Sequence, residues 1–301
     1  MSVAEGTVVA VFGRRYEVEL ASGERLDCVA RARRHEADCG DRVGLRRTAT
    51  GQGVIEEVLP RSSYLERADR VKRKAIAANA DLLLVLVAVE PWFSDEFVAR
   101  VLLLAGAARM DGLIVLNKVD LPAADAARDR LKPFAAAGAE VIEIAARPRA
   151  ADGTRLDHGL HLEALRERLR GRSTVLVGQS GMGKSSLVNA LSPGANAATG
   201  DISHSLGSGR HTTTFSCLYR LDPDTTLIDC PGMQEVGLAN LDFPTLVAGF
   251  AEFEPLLGSC RFRDCRHDRE PGCAIHKAAD EGRIDPRRLE LFARFREELG
   301  R

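Results

Sequence analysis

Gly178-Gln179-Ser180-Gly181-Met182-Gly183-Lys184-Ser185 constrains this chain more than any other stretch. It is a complete phosphate-binding loop, and such a loop works only between a strand and a helix. Thr174–Val177 before it is a short apolar run suited to a buried strand, and Leu187, Val188 and Leu191 after it recur at helical spacing. The glycines let backbone N–H groups approach phosphate oxygens, and the helix N-terminus adds partial positive charge. In this pattern Lys184 reaches the β- and γ-phosphates, the Ser185 hydroxyl ligates Mg²⁺, and Ser186 completes the nucleotide-contacting run.

Two further strand ends carry matching chemistry. Asn117-Lys118-Val119-Asp120 follows the apolar run Leu113–Leu116. Its aspartate can accept two hydrogen bonds from N1–H and the 2-amino group of guanine, which adenine does not offer, so the tetrapeptide selects GTP over ATP. Asp229-Cys230-Pro231-Gly232 follows Thr226–Ile228. There Asp229 can hold Mg²⁺ through water and the Gly232 N–H can meet the γ-phosphate. Between the phosphate loop and this turn, Gly207 to Thr214 is Gly-rich and polar, fitting an order–disorder switch in which Thr213 is favoured to complete the Mg²⁺ shell. In ordinary GTPases the phosphate loop precedes the base-reading motif. Here the base-reading motif comes first, so the expected fold is a circularly permuted Ras-like P-loop GTPase domain.

The rest of the chain divides around that domain. Thr7–Val11, Tyr16–Leu20, Arg25–Ala30, Asp41–Leu45 and Gly53–Val58 read as short strands separated by Gly-bearing turns, hence a small barrel or sandwich. From about Arg70, strand candidates Asp81–Val89, Leu113–Leu116, Glu140–Ile144, Thr174–Val177, Cys217–Leu221 and Thr226–Ile228 alternate with helical patterns, one of them starting at Ser94. That alternation predicts a parallel sheet covered on both faces. Helices are expected at Phe243–Phe253 and Pro286–Leu299. Between them Cys260, Cys265, His267 and Cys273 supply three thiolates and an imidazole, a closed set for structural Zn²⁺. Arg261, Arg263, Arg266 and Arg269 lie among these ligands, but Asp264, Asp268 and Glu270 nearly cancel them; an RNA clamp and a solvated surface both fit. The expected architecture is multidomain α/β: an N-terminal barrel over 1–68, the GTPase domain over 69–238, and a C-terminal helical zinc-binding domain over 239–301.

Composition excludes little. A net charge of −1 over 301 residues gives no global sign of nucleic-acid binding, so any RNA surface must be local. The most apolar run, Leu82 to Val89, is far shorter than the ~20 residues that cross a bilayer. Met1 to Leu20 shows no secretory leader, so a cytoplasmic protein with no membrane partner is expected.

Barrel, permuted GTPase and Cys-x4-Cys-x-His-x5-Cys cluster, taken together, resemble the RsgA (YjeQ/YloQ) family of ribosome small-subunit-dependent GTPases. The resemblance spans essentially the whole chain and includes Gly209-Arg210-His211-Thr212-Thr213 and Glu270-Pro271-Gly272. It implies an oligonucleotide-binding (OB-type) barrel, GTP and GDP as ligands, and late maturation of the 30S subunit. It further implies contact with 16S rRNA and GTP hydrolysis stimulated by that subunit. It makes Ala145-Ala146 the guanine-supporting loop and His211 the candidate catalytic residue beside Lys184. His211 docking on rRNA or packing the loop is an equal alternative. Met233 occupies the place where Ras-like enzymes orient water with glutamine, so slow intrinsic hydrolysis is expected. A monomer is the default. The competing readings are a GTP-binding ribosome-associated module with little turnover, and a P-loop ATPase or kinase.

Overall fold

The computed structural model describes residues 4–32, 36–68, 73–147, 159–192, 216–230, 237–238 and 241–300. Strands β1 (Ala4–Phe12), β2 (Arg15–Leu20), β3 (Arg25–Ala30), β4 (Arg42–Ala49) and β5 (Gln52–Val58) run in the order β1-β2-β3-β5-β4, and β4 pairs back onto β1. This is a closed, OB-like barrel. Alternation drives it: Tyr16, Val18 and Leu20 on β2 and Leu26 and Cys28 on β3 point into a small core, while their neighbours face outward. A hairpin that the sequence did not signal, β6 (Tyr64–Ala68) with β7 (Arg73–Ala78), follows the barrel.

The second region is an α/β sheet of β8 (Leu82–Ala88), β9 (Asp111–Asn117), β10 (Glu140–Glu143), β11 (Ser173–Val177), β12 (Cys217–Arg220) and β13 (Thr226–Asp229), in the order β10-β9-β8-β11-β13-β12. Every residue of β8 is buried, as a central strand covered on both faces requires. Five of the strands are parallel. The sixth corrects the all-parallel expectation: β12 runs antiparallel to β13, because the short Leu221–Thr225 turn allows a hairpin but no crossover. Its other edge pairs with the barrel, Cys217 opposite Ala10, so barrel and α/β sheet form one continuous 11-stranded sheet.

Helices cover the sheet. α1 (Asp95–Ala107) starts as read from the sequence, with the Ser94 hydroxyl accepting from Phe97 N at 3.2 Å. α2 (Ala124–Ala136), α3 (Leu162–Leu169) and α4 (Lys184–Leu191) complete this region. Pro133 sits inside α2 and offers no N–H to the Asp129 carbonyl; the Arg287 guanidinium donates there instead at 3.4 Å.

The C-terminal region holds α5 (Phe243–Ala248), a 3-10 turn (Ala251–Leu256), α6 (Ala274–Asp280) and α7 (Pro286–Leu299). The helix expected over Phe243–Phe253 is therefore two pieces. It breaks at Gly249, where α5 crosses so near α1 that a Cβ would lie 2.2 Å from Leu103 Cδ1. Phe250 leaves the helical path and joins Phe253, Phe292 and Phe295 in an aromatic core with ring centroids 5.0–6.3 Å apart. α7 matches its expected span, with Asp285 as cap and Pro286 in its first turn. Among the described residues no helix is long and apolar enough to cross a membrane.

Candidate functional site

The glycine-rich loop leaves the end of β11 and enters α4 at Lys184. Two of its glycines are required by space. A Cβ on Gly178 would lie 2.6 Å from the Leu86 carbonyl, and one on Gly183, at φ +97°, would lie 2.4 Å from Asn117 Nδ2. The loop is thus pressed against the ends of β8 and β9. Lys184 Nζ donates to the Gly178 carbonyl at 2.5 Å and the Gln179 carbonyl at 3.3 Å. Burial pushes its pKa down, and nearby Asp229 opposes that shift.

Asp229 closes β13 and is almost fully buried. Burial raises its pKa, and the ammonium of Lys184 only partly offsets this. Its Oδ1 is buried with no hydrogen-bond partner, as is Thr174 Oγ1 among the described side-chain atoms. A buried carboxylate oxygen with nothing to accept from is what a hydrated cation beside the phosphate loop would satisfy.

The residues around Asn117 tie the end of β9 to the glycine-rich loop. Asn117 Nδ2 donates to the Met182 carbonyl at 2.9 Å, while its Oδ1 accepts from Lys118 N at 2.8 Å and Ala146 N at 3.0 Å. Lys118, at φ +63°, sends Nζ to the carbonyls of Glu90, at 2.5 Å, and Gly181, at 2.8 Å. Ala145 is fixed in turn by reciprocal backbone bonds with Leu160, at 3.2 and 2.9 Å. Asp120 is half-buried just past this strand end.

The structure therefore gathers Asn117, Lys118, Ala146, Gly181, Met182, Gly183, Lys184 and Asp229 around one rim. Ser180, Ser185 and Ser186 occupy the loop and the first turn of α4. His211, Thr213 and Gly232 lie outside the described residues. Two partners were missed from sequence. The Glu90 carbonyl holds Lys118, and Gln179 Oε1 accepts from the backbone N of Ser94, the cap of α1, at 3.2 Å. No local motif announces either contact.

A second cluster lies apart from this rim. The ligand atoms of Cys260, Cys265, His267 and Cys273 all fall within 4.8 Å of one another. His267 Nδ1 is 3.6 Å from Cys260 Sγ and 3.5 Å from Cys273 Sγ. Tetrahedral bonds of about 2.0–2.3 Å put such ligand atoms roughly 3.5 Å apart, so the set could hold a metal ion. The surrounding loop is braced around it. Glu270 accepts from Arg266 N at 2.8 Å and Asp268 N at 2.6 Å, Arg296 donates to the His267 carbonyl at 2.8 Å, and Phe243 stacks on the His267 ring.

Comparison with known proteins agrees in extent as well as in kind. The model of the RsgA GTPase family matches residues 58–239. The small ribosomal subunit biogenesis GTPase RsgA of Burkholderia mallei is 47% identical over 294 residues, covering 97% of this chain and 91% of that one. The protein of the same name from Bordetella pertussis is 45% identical over 297 residues, covering 98% and 96%. Among solved structures, YjeQ from Thermotoga maritima superimposes with a TM-score of 0.74 at 29% identity, over 100% of both chains. YloQ, described as a circularly permuted GTPase, gives 0.70 at 22% identity over 99% and 96%, and shares the fold. Likeness that extends past the phosphate loop to nearly every residue of the chain places it by descent: it belongs to the RsgA GTPase family.

Proposed function

We propose that the protein is a GTP-hydrolysing switch that acts in late maturation of the 30S ribosomal subunit, binds 16S rRNA, and is stimulated by that subunit. One observation carries the reading. Asn117 holds Ala146 N and the Met182 carbonyl at once, so a guanine-reading loop and a phosphate loop share one rim in permuted order. Kinship with curated small-subunit biogenesis GTPases supports the ribosomal assignment.

The roles follow from chemistry. Asp120 accepts from guanine N1–H and its 2-amino group, while Ala145 and Ala146 line the base loop. The backbone of Gly178, Gln179, Ser180, Gly181, Met182 and Gly183, with Ser185 and Ser186, cradles the phosphates. Lys184 leaves its loop carbonyls for the β- and γ-phosphate oxygens, where its charge counters that developing on the leaving phosphate. Mg²⁺ would be held by Ser185, Thr213 and, through water, Asp229, whose unpartnered oxygen fits it; it would supply positive charge that offsets that of the phosphates. Gly232 meets the γ-phosphate and His211 assists hydrolysis in place of the glutamine that Met233 replaces. Zn²⁺ would be held by Cys260, Cys265, His267 and Cys273 as a structural ion only, since protein fills all four positions. We assign the barrel to 1–68, the GTPase domain to 69–238 and the zinc domain to 239–301, in a cytoplasmic monomer.

The test is GTP turnover by the purified protein alone, with 30S subunits and with 50S subunits. A large rise with 30S subunits alone is expected. GTP binding without any rise would replace the switch with a non-hydrolysing module.

A further inference from the structure

Helix α1 touches both the phosphate loop and the C-terminal region. At its start, Ser94 N donates to Gln179 Oε1 at 3.2 Å, so the cap residue is tied to the second residue of the loop. One turn and a half further on, Arg100 is largely shielded from water. Its guanidinium grips Glu298 near the end of α7 through both nitrogens, Nη1 at 3.0 Å and Nη2 at 2.5 Å. The same group takes Glu96 of α1 at 2.7 and 3.1 Å and lies 4.7 Å from the centroid of Phe295. Leu103, one turn later, packs against Gly249, where an added Cβ would lie 2.2 Å from its Cδ1. Glu96, Arg100 and Leu103 form one stripe of α1, and that stripe is the seat of the C-terminal region. Glu298 Oε1 also accepts from the backbone N of Leu238, a long bond of 3.4 Å, and Leu238 follows the Asp229 turn in the chain.

We propose that Arg100 and Glu298 are positioning residues for GTP hydrolysis: they form the joint by which the C-terminal region sets helix α1, and through Ser94 and Gln179 the phosphate loop. The inference rests on the GTPase reading and adds a route by which events at the zinc domain reach the nucleotide. A forked, two-point ion pair is suited to this, because it fixes orientation as well as distance. A helix is a rigid element, so a tilt imposed at Arg100 moves the Ser94 end with it.

The test uses the full chain with 30S subunits and saturating GTP. Glu298→Ala is expected to lower kcat about tenfold with KM for GTP held within about twofold, and Glu298→Gln, which keeps the shape and one acceptor but loses the second point of the fork, to lower it only about threefold. Arg100→Lys, which keeps the charge and loses the fork, is expected to lower kcat about threefold. Release of a fluorescent GDP analogue needs binding but no turnover, and is expected to be at least about threefold faster in Glu298→Ala. Unchanged kcat and unchanged GDP release in both Glu298→Ala and Arg100→Lys would overturn the joint. So would a loss that simply follows a fall in Tm and appears equally in Glu298→Gln. Because GDP release is read without hydrolysis, a parent protein that fails to turn over GTP sinks the enzymatic reading while leaving the joint to be judged by release alone.

Discussion

The nucleotide rim and the Cys/His cluster are both built from loops, yet they are held in opposite ways. At the rim, groups at the ends of β9, β10 and β11 and at the start of α4 are already satisfied by one another: Asn117 by Met182, Lys118 and Ala146, and Lys184 by Gly178 and Gln179. The Asp229 carboxylate oxygen is the exception. At the cluster, four atoms that could ligate a metal face one another within 4.8 Å, and the thiol of Cys265 is pushed up to about 12 by loss of water. On the proposed reading, the first site is kept in shape by the fold without its ligand, and the second would be completed by a metal ion. Removing chemistry from the rim should therefore leave the fold standing, whereas removing metal from the cluster should take local structure with it.

The largest effect should come from Asp120, the carboxylate proposed to read the base. Asp120→Asn replaces an acceptor with a donor facing the guanine N1–H, so GTP affinity should fall by more than about 100-fold while xanthosine triphosphate binds better. Competition binding with the two nucleotides reads this directly, and Tm should stay within a few degrees of the parent. Equal GTP affinity would show that Asp120 does not read the base. A large fall in Tm would break the comparison, because the rim would then depend on the residue for its shape.

Next comes the metal. Chelation, or Cys273→Ser, should unfold the loop between Cys260 and Cys273 and loosen the Phe243–His267 stack and the Arg296 bond that rest on it. Hydrogen exchange should then rise over the C-terminal region, while GDP binding at the rim persists within about threefold. Loss of nucleotide binding on chelation would mean that the two sites are one cooperative unit. No change in exchange would mean that the cluster is held without metal.

Sequence reached these two sites unequally, for a physical reason. The cluster's four ligands lie close together along the chain, so spacing alone exposed it. The rim's motifs were legible for the same reason, each being a local strand end, and their permuted order was readable directly. What joins them was not legible: the Lys118 ammonium on the Glu90 carbonyl and Gln179 on Ser94 N are contacts between distant segments with no periodic signature. The same limit holds for the fold. Strands with strong alternation or continuous apolar runs, such as Tyr16–Leu20 and Leu82–Ala88, were found nearly to the residue. α2 was passed over because alanine gives weak contrast between faces, although Ala124, Ala127, Leu131 and Phe134 line its buried side. The close approach of Leu103 to Gly249, where the helix ends, is likewise a contact between segments far apart in the chain.

The smallest expected effect probes the exception at the rim. Asp229 is buried with Oδ1 unpartnered, and its folded pKa is raised by that burial. A raised carboxylate pKa means that the folded state binds its proton more tightly than the unfolded state does. Stability contributed by this group is therefore lost as pH rises from near 3.8 through the folded pKa. At neutral pH the ionised carboxylate, only partly offset by the Lys184 ammonium, opposes folding until a further cation is bound. Asp229→Asn removes the charge and keeps the shape, so without nucleotide and Mg²⁺ its Tm should exceed the parent's by about 2–4 °C, equivalent to about 1 kcal/mol. The gain should shrink toward zero as pH is lowered to about 3.8 or below, and reverse once GTP and Mg²⁺ are added, since only the parent can then use the carboxylate. Thermal melts at several pH values, with and without nucleotide, separate these cases. A variant less stable than the parent in the absence of ligand would show that Asp229 is satisfied by the fold itself, and the one difference between an open rim and a finished one would disappear.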